Sequence, residues 1–345
     1  MKQKSKKDSK KVSLSSGEVW REVFKGFNKL NVLIIGDVMV DAYMWGTVNR
    51  ISPEAPVPVV TINKKENRLG GAANVALNIQ AMGANPILCS VIGDDEGAKT
   101  FLDLLKDNKL SAKGILKSKK RITTVKTRVI SSNHQMLRVD EEIESSIDNK
   151  EIQALITEIK KLITSEKIDV IVFEDYDKGA INAELIKTVV AFAKQKNIPT
   201  VVDPKRKNFM DYTGVTLFKP NLKELKEGLK IDFNHHDLKE LEKVVAHFIK
   251  KQDIETALIT LSEKGVYTHS AKIKALVPAH IRNISDVSGA GDTVVSVAAL
   301  CIAAKLSPIT TATLANLAGG LVCEKVGVVP IDKKQLLQEA LKLKS

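Results

Sequence analysis

Cysteine, aromatic residues and long apolar runs are all scarce in this chain, and each scarcity excludes a class of protein. The 345 residues include three cysteines, Cys89, Cys301 and Cys323, far apart and without a CxxC pair. Neither a disulfide framework nor a zinc ribbon can be built from them, and a reducing, cytoplasmic compartment is expected. No stretch approaches the roughly 18 consecutive apolar residues of a membrane span, so no membrane partner is expected. Aromatic residues make up 4% of the chain, leaving little to stack on nucleic-acid bases. There is no Gly-Lys pair, which removes the GxxxxGK[ST] phosphate loop, and no HRD or DFG of a protein kinase. His134, His235, His236, His247, His269 and His280 show no metal-ligand spacing.

Charge is abundant and of one sign, with 53 basic residues against 41 acidic ones, a formal net charge of +12. Its placement argues against a nucleic-acid partner. Lys2, Lys4, Lys6, Lys7, Lys10 and Lys11 face only Asp8, with no apolar stretch behind them as in a signal peptide. Residues 1–14 are therefore expected to be a disordered basic tail, and the remaining excess is spread along the chain.

From residue 15 onward, amphipathic helical stretches alternate with short, fully apolar runs. An amphipathic helix over 15–30 leads into NVLIIG (31–36). Helices are expected at about 71–83, 95–107, 150–165, 182–196 and 236–251, interleaved with the strands PILCSVI, DVIVFED, PTVVD, VTLFKP and TALITL. Two apolar helices, at about 290–305 and 308–325, close the pattern. The alternation predicts an α/β fold, a central mostly parallel sheet with helices on both faces, forming a single domain over 15–345. Two segments, 45–65 and 121–142, break it with period-2 patterning, β-branched residues and prolines. They are expected to be strands of a small β-sheet lid over the strand ends, or else surface hairpins without function.

The sharpest chemical feature is ISDVSGAGDTVVSVAAL (284–300), where Gly289, Ala290 and Gly291 precede Asp292 and an apolar helix begins at once. Backbone N–H groups at such a helix start form an anion site. An aspartate there repels an anion but suits a general base acting on an attacking hydroxyl, the combination needed for phosphoryl transfer to an alcohol. Read alone, Asp292 is equally a first-turn acid favoured by the helix dipole. GAGDTV lacks the third glycine of GxGxxG and stands far from the first strand, so a dinucleotide site is not expected. Further polar groups fall at expected strand ends: Gly36, Asp37 and Asp41; Gly70, Gly71 and Asn74 opening the next helix; and Asp203 with Lys205. Caps and turns explain each singly, while together they outline a polar pocket.

RLGGAANVALNIQAMGA (68–84) and DVSGAGDTVVSVAAL (286–300), in this order and spacing, make the chain resemble the ribokinase-like, PfkB-type carbohydrate kinases over about 31–330. The resemblance implies a ribokinase-like fold, ATP and Mg²⁺ as cofactor and metal, and phosphorylation of a sugar hydroxyl. It makes Asp292 the catalytic base and 289–291 the anion hole. In KPNLKEL it assigns Asn221 and Glu224 to the nucleotide, with Glu224 holding Mg²⁺ through water, and both residues read equally as a helix cap and an exposed acid. Asp286 and Ser288 match positions that hold a monovalent cation, K⁺ among them, in part of the family. Ser262 and Gly265 of TLSEKG, with Asn316 and Gly319, would approach the nucleotide. Ser262 stands where glycine is common, and helix packing also explains the glycines of LAGG.

Within that family, GDVMVDAYMWGTVNRISPEAPVPVV, VKTRVISSNHQMLRVDEE, FEDYDKGAI and VVDPKRKNF resemble the bacterial heptose-7-phosphate kinases of ADP-heptose synthesis. That implies a small sugar-phosphate partner, D-glycero-β-D-manno-heptose 7-phosphate, phosphorylated at its anomeric hydroxyl. Candidates for phosphate or nucleotide are Arg138, Lys178 and Lys205; candidates for hydroxyls are Asp37, Asn74 and Asp175. Glu174 departs from the small residue expected in FEDYDKG. Many relatives carry a fused nucleotidyltransferase domain; no HxGH motif occurs here, so the reaction is expected to stop at the 1,7-bisphosphate. A homodimer through the β lid is expected, with RISPEAPVPVV as the pairing segment. The rival readings are a kinase of the same fold for another sugar phosphate or a nucleoside, and a non-catalytic binding module.

Overall fold

The structure is a computed structural model that describes residues 16–132, 134–234, 237–280 and 282–343. The expected tail over 1–14, and His235 and His236, lie outside the described residues. The strands are β1 (Asn31–Gly36), β2 (Val38–Ile51), β3 (Pro58–Gly71), β4 (Asn85–Ile92), β5 (Gly114–Lys117), β6 (Thr124–Ser131), β7 (His134–Glu141), β8 (Val170–Glu174), β9 (Thr200–Asp203), β10 (Leu217–Phe218), β11 (Thr256–Thr260), β12 (Val266–Ser270) and β13 (Lys274–Val277). The helices are α1 (Ser16–Phe27), α2 (Ala72–Ala81), α3 (Glu96–Asp107), α4 (Asn149–Ser165), α5 (Ala183–Gln195), α6 (Leu222–Leu229), α7 (Leu238–Lys251), α8 (Ala290–Ala303), α9 (Pro308–Val322) and α10 (Lys333–Lys342).

Nine strands form one sheet in the order β13-β12-β11-β10-β9-β8-β1-β4-β5, parallel except for β12 and β13 at one edge. Apolar runs such as VLII are continuous because successive residues enter two different cores. Val32 and Ile34 of β1 pack into the layer of α2, α8 and α9, while Leu33 and Ile35 pack into the layer of α4, α5 and α7. Full burial of each such side chain stabilises the fold by about 1.5–3 kcal/mol. All three cysteines are buried and free, and no helix of the described residues is long and apolar enough to cross a membrane.

Strand order reverses at β1, with β4 and β5 on one side and β8 to β13 on the other. In such sheets the crevice outside the carboxyl ends at the reversal is where ligands bind. Gly36, Glu174 and Asp203 end β1, β8 and β9 in lateral register there.

The two segments that break the alternation form a second sheet, order β3-β2-β6-β7. Its strands begin earlier than the 45–65 reading allowed, because VMVDAY is already β-strand, buried over its first six residues before β2 runs out into the exposed part of the lid. One expectation is corrected by this: Asp41 lies within β2, opposite Arg68 and Lys126, and not at a strand end. Gly70 and Gly71 finish β3, and Gly71 caps α2, so the chain enters that helix through them as expected.

Candidate active site

Asp292 lies in the first turn of α8 and is 4% exposed. The chain enters this helix through Gly289, whose φ of 75° is left-handed and suits a residue without a Cβ. Of the three amides expected to point outward, that of Ala290 is turned back onto the Val287 carbonyl at 3.2 Å. Helix geometry leaves the N–H groups of Gly291 and Asp292 without an intrahelical acceptor. Gly291 is itself exposed, and a Cβ there would stand 3.6 Å from Asp203 Oδ2.

The Asp292 carboxylate is held at both oxygens. Asn74 Nδ2 donates to Oδ2 at 2.7 Å, and the Tyr176 hydroxyl donates to Oδ1 at 2.7 Å. Behind Asn74, Asn78 donates to the Asn74 carbonyl at 2.9 Å and accepts from the Thr293 hydroxyl at 3.1 Å, locking α2 to α8. Burial pushes the Asp292 carboxyl above its ordinary value; the bonds from Asn74 and Tyr176 hold it back, and the nearby Asp203 charge raises it further.

Beside Asp292 stand Asp203 and Glu174, whose side chains point to the same layer as Val201 and Val172 on their strands. Asp203 Oδ2 accepts from the buried Lys219 Nζ at 2.9 Å. Lys205 Nζ lies 2.6 Å from Glu224 Oε1, 3.9 Å from Asp203 Oδ1 and over the Tyr176 ring. Burial opposes the Lys205 charge, but Asp203, Glu224 and Glu174 outweigh it and hold the ammonium protonated.

Other expected residues are engaged elsewhere. Asp37 accepts from the amides of Tyr176, Lys178 and Ala180 at 2.9, 3.0 and 2.9 Å, so its carboxylate shapes the loop after β8 and has no free edge for a sugar hydroxyl. Asp175 is turned to the opposite layer, where Asn208, Tyr212 and the Asp177 amide bond it. Strand alternation is the reason: Glu174 takes the pocket face and Asp175 the other. Lys178 Nζ is matched by Glu142 and Glu144 at 2.7 and 2.9 Å, leaving no free cation for phosphate. Arg138 is on β7, half exposed and paired with Asp140.

Asn221 and Glu224 form a capping box on α6, each side chain bonding the other's amide at 2.8 Å. Asp286 accepts from the Ser288 amide and hydroxyl at 3.0 and 2.8 Å, and from the Gly327 amide at 2.8 Å. Gly265 has a φ of 94°, and Ser262 stands at a left-handed φ of 51°, which explains why glycine suits that turn. Asn316 donates to the Pro278 carbonyl at 2.9 Å. Gly319 is a packing glycine, since a Cβ would lie 2.6 Å from Val294 Cγ2 on the facing helix.

Four site residues escaped the sequence reading: Tyr176, Lys219, Arg68 and Arg128. Tyr176 and Lys219 lie inside quoted motifs and were passed over beside their charged neighbours. The two arginines sandwich Tyr43, with Cζ atoms 4.9 and 5.4 Å from its ring centre. Arg128 also bonds Asp41 at 2.5 Å, and Arg68 bonds Glu66 at 2.6 Å and donates to the Val328 carbonyl at 3.1 Å, so each guanidinium meets one carboxylate and keeps further N–H donors, whereas two carboxylates enclose the Lys178 ammonium. The available signal was period-2 alternation, which puts Tyr43, Arg128 and Arg138 on one face of the lid.

Comparison with known proteins agrees over almost the whole chain. Residues 29–334 match the pfkB family carbohydrate kinase profile. The chain is 37% identical over 311 residues to a bifunctional protein HldE of Desulfatibacillum aliphaticivorans, covering 90% of this chain and 63% of that protein. It is 36% identical over 296 residues to the bifunctional protein HldE of Helicobacter pylori, covering 86% and 63%. The chain thus spans just under two thirds of the length of these relatives. Among solved structures, phosphofructokinase-2 from Escherichia coli in complex with potassium superposes with a TM-score of 0.74 at 16% identity, over 91% of this chain and 98% of that one. Ribokinase of Arabidopsis thaliana complexed with ribose and ATP gives 0.69 at 14%, over 92% and 100%.

Proposed function

Starting from the fact that the chain belongs to the PfkB family of carbohydrate kinases and is a sugar kinase transferring phosphate to a hydroxyl, we propose that it phosphorylates the anomeric hydroxyl of D-glycero-β-D-manno-heptose 7-phosphate. The observation that carries the mechanism is the doubly held Asp292 carboxylate at the mouth of α8. Asp292 accepts the proton of the attacking hydroxyl, while Asn74 and Tyr176 fix its orientation and keep it ionised. The Gly291 and Asp292 amides, with Lys205 at the carboxyl ends of β8 and β9, receive the transferring phosphoryl group, and positioning supplies most of the rate.

ATP is the phosphoryl donor in this reading. Large apolar side chains of Ile284, Val287 and Val326 are exposed around the Asp286 turn, a surface on which a purine can pack. The residues present fit Mg²⁺: both Glu224 oxygens already accept hydrogen bonds, which suits contact through water, and the buried Asp203 Oδ1 has no hydrogen-bond partner. When bound, Mg²⁺ neutralises charge on the phosphates. The substrate's own phosphate is assigned to Arg68 and Arg128, with Arg138 on the same face of the lid. Hydroxyl contacts fall to Asn74 and the lid carboxylate Asp41. The lid shields the transfer from water. Exposed Ile51, Val57, Leu137 and Val139 on the lid strands and turn support the homodimer, which sedimentation of the purified chain tests.

The deciding experiment offers ATP with D-glycero-D-manno-heptose 7-phosphate, fructose 6-phosphate, ribose or adenosine, and follows ADP release and ³¹P NMR. Selective phosphate at the anomeric carbon is expected. Turnover confined to another acceptor would overturn the heptose assignment and leave the kinase chemistry intact.

A further inference from the structure

Glu174 is the feature that neither the kinase chemistry nor the core explains. It is 0% exposed, and neither carboxylate oxygen has a hydrogen-bond partner. A fully buried, unpartnered carboxylate is strongly unfavourable, so without a counter-ion the group is driven to hold its proton: burial, with Asp203 and Asp292 beside it, pushes the Glu174 carboxyl well above its ordinary 4.5. Its side chain is aimed at Asp203 and Asp292, and one oxygen from each of the three lies within 4.8 Å of the others. Asp203 Oδ1 is likewise buried and unpartnered.

Four carboxyl groups, those of Glu174, Asp203, Asp292 and Glu224, face only two ammonium groups, those of Lys205 and Lys219. A divalent cation that displaces the Glu174 proton would bring the acidic and basic charges of the pocket into balance. The oxygen spacing is compatible, because oxygens sharing one hard divalent cation stand roughly 3 Å apart when adjacent and about 4–5 Å apart when opposite.

We propose that Glu174 and Asp203, with Asp292 at the edge of the coordination sphere, form a divalent-cation site of direct carboxylate ligands that fills without nucleotide. This deepens the proposed kinase reading and rests on it only for the use of the ion. It differs from water-mediated contact through Asn221 and Glu224, whose side chains are committed to the α6 cap and Lys205. It also gives a reason for the departure at Glu174 from the small residue expected in FEDYDKG: a small side chain there would leave Asp203 without a second direct ligand on β8.

The test uses the full chain, stripped of nucleotide and metal, titrated with Mn²⁺ and read by the EPR signal of the free ion, with thermal unfolding alongside. One Mn²⁺ per chain is expected in the absence of ATP, raising the melting temperature. Glu174→Gln should weaken that binding at least tenfold. In the metal-free protein, where burial drives Glu174 to hold its proton, the variant should melt close to the parent, so that only the metal-induced rise is lost. Glu174→Ser supplies the same comparison should the Gln variant fold poorly. Mn²⁺ binding that requires ATP, or equal binding by parent and Glu174→Gln, overturns the proposal. The titration is blind to the sugar, so Mn²⁺ binding alongside failure of heptose phosphorylation supports this site while rejecting the substrate assignment.

Discussion

At the pocket floor, Glu174, Asp203 and Asp292 are all but fully buried, and oxygens of two of them find no partner in the protein. On the lid, Lys126 lies between Asp140 and Glu142 at 3.0 and 2.6 Å, and Arg128 meets Asp41, with each cation retaining some exposure. The same residue types thus serve opposite ends. Charges that complete one another, as on the lid, hold a sheet together, and they hold the Asp140 and Glu142 carboxyls below their ordinary values. Carboxyl groups left incomplete in a dry place, as Glu174 and Asp292 on the floor, are pushed above their ordinary values.

Asp292→Asn strikes the floor hardest. The carboxamide oxygen can accept from Asn74 and its NH2 donate to the Tyr176 oxygen, reversing that bond, but it takes no proton from the substrate, so kcat should fall by about 10²–10⁴ while circular dichroism and ATP affinity are retained. Near-normal turnover would remove Asp292 from the chemistry.

On the lid, Arg128→Gln or Arg68→Gln should raise KM for a sugar phosphate by about 10–100-fold with little change in kcat, as expected for loss of one charged hydrogen bond. An acceptor lacking the phosphate should show no such dependence. An equal penalty on both acceptors would make these arginines structural braces for Tyr43.

Acid separates the two regions further. Burial opposes ionisation of Glu142 and Asp140, but the bonds Lys126 makes to both, with Lys178 on Glu142 and Arg138 on Asp140, outweigh it and hold them below their ordinary 4.5 and 3.8. Their ion pairs therefore contribute stability in full above those values and lose it as pH falls through the depressed ones. In a Trp20→Phe background, Trp45 emission should report loosening of the lid at a higher pH than the loss of far-ultraviolet dichroism. Coincident transitions would mean that lid and core unfold as one.

The smallest effect is expected at Ser262→Gly. Relief of the left-handed φ is worth about 1 kcal/mol, partly offset by the greater freedom of glycine in the unfolded chain, so melting should rise slightly or stay level. A fall would show that the Ser262 hydroxyl makes a contact worth more than the strain.

Much of this architecture is legible from residue order. The alternation of apolar runs with amphipathic helices gave β1, β4, β8, β9 and β11 and the helices between them, and the glycines before Asp292 marked the start of α8. The lid boundaries were misjudged because VMVDAY, left outside 45–65, is the buried start of β2 and joins the core. Strands β12 and β13 were passed over because mixed patterns such as VYTHS do not look buried until β11 pairs beside them.

The amino-acid sequence by itself determined the parallel sheet, the glycine-led start of α8 and the aspartate in its first turn, because these follow from local periodicity and from groups adjacent in the chain. Only the tertiary structure decided that Glu174 and not Asp175 faces the pocket, that Asp37 and Lys178 are spent on neighbouring groups, and that Arg68 and Arg128 meet across Tyr43. Which face a side chain takes at a strand end, and whether a charge is already neutralised, depend on partners dozens to hundreds of residues away, brought together only when the strands fall into register.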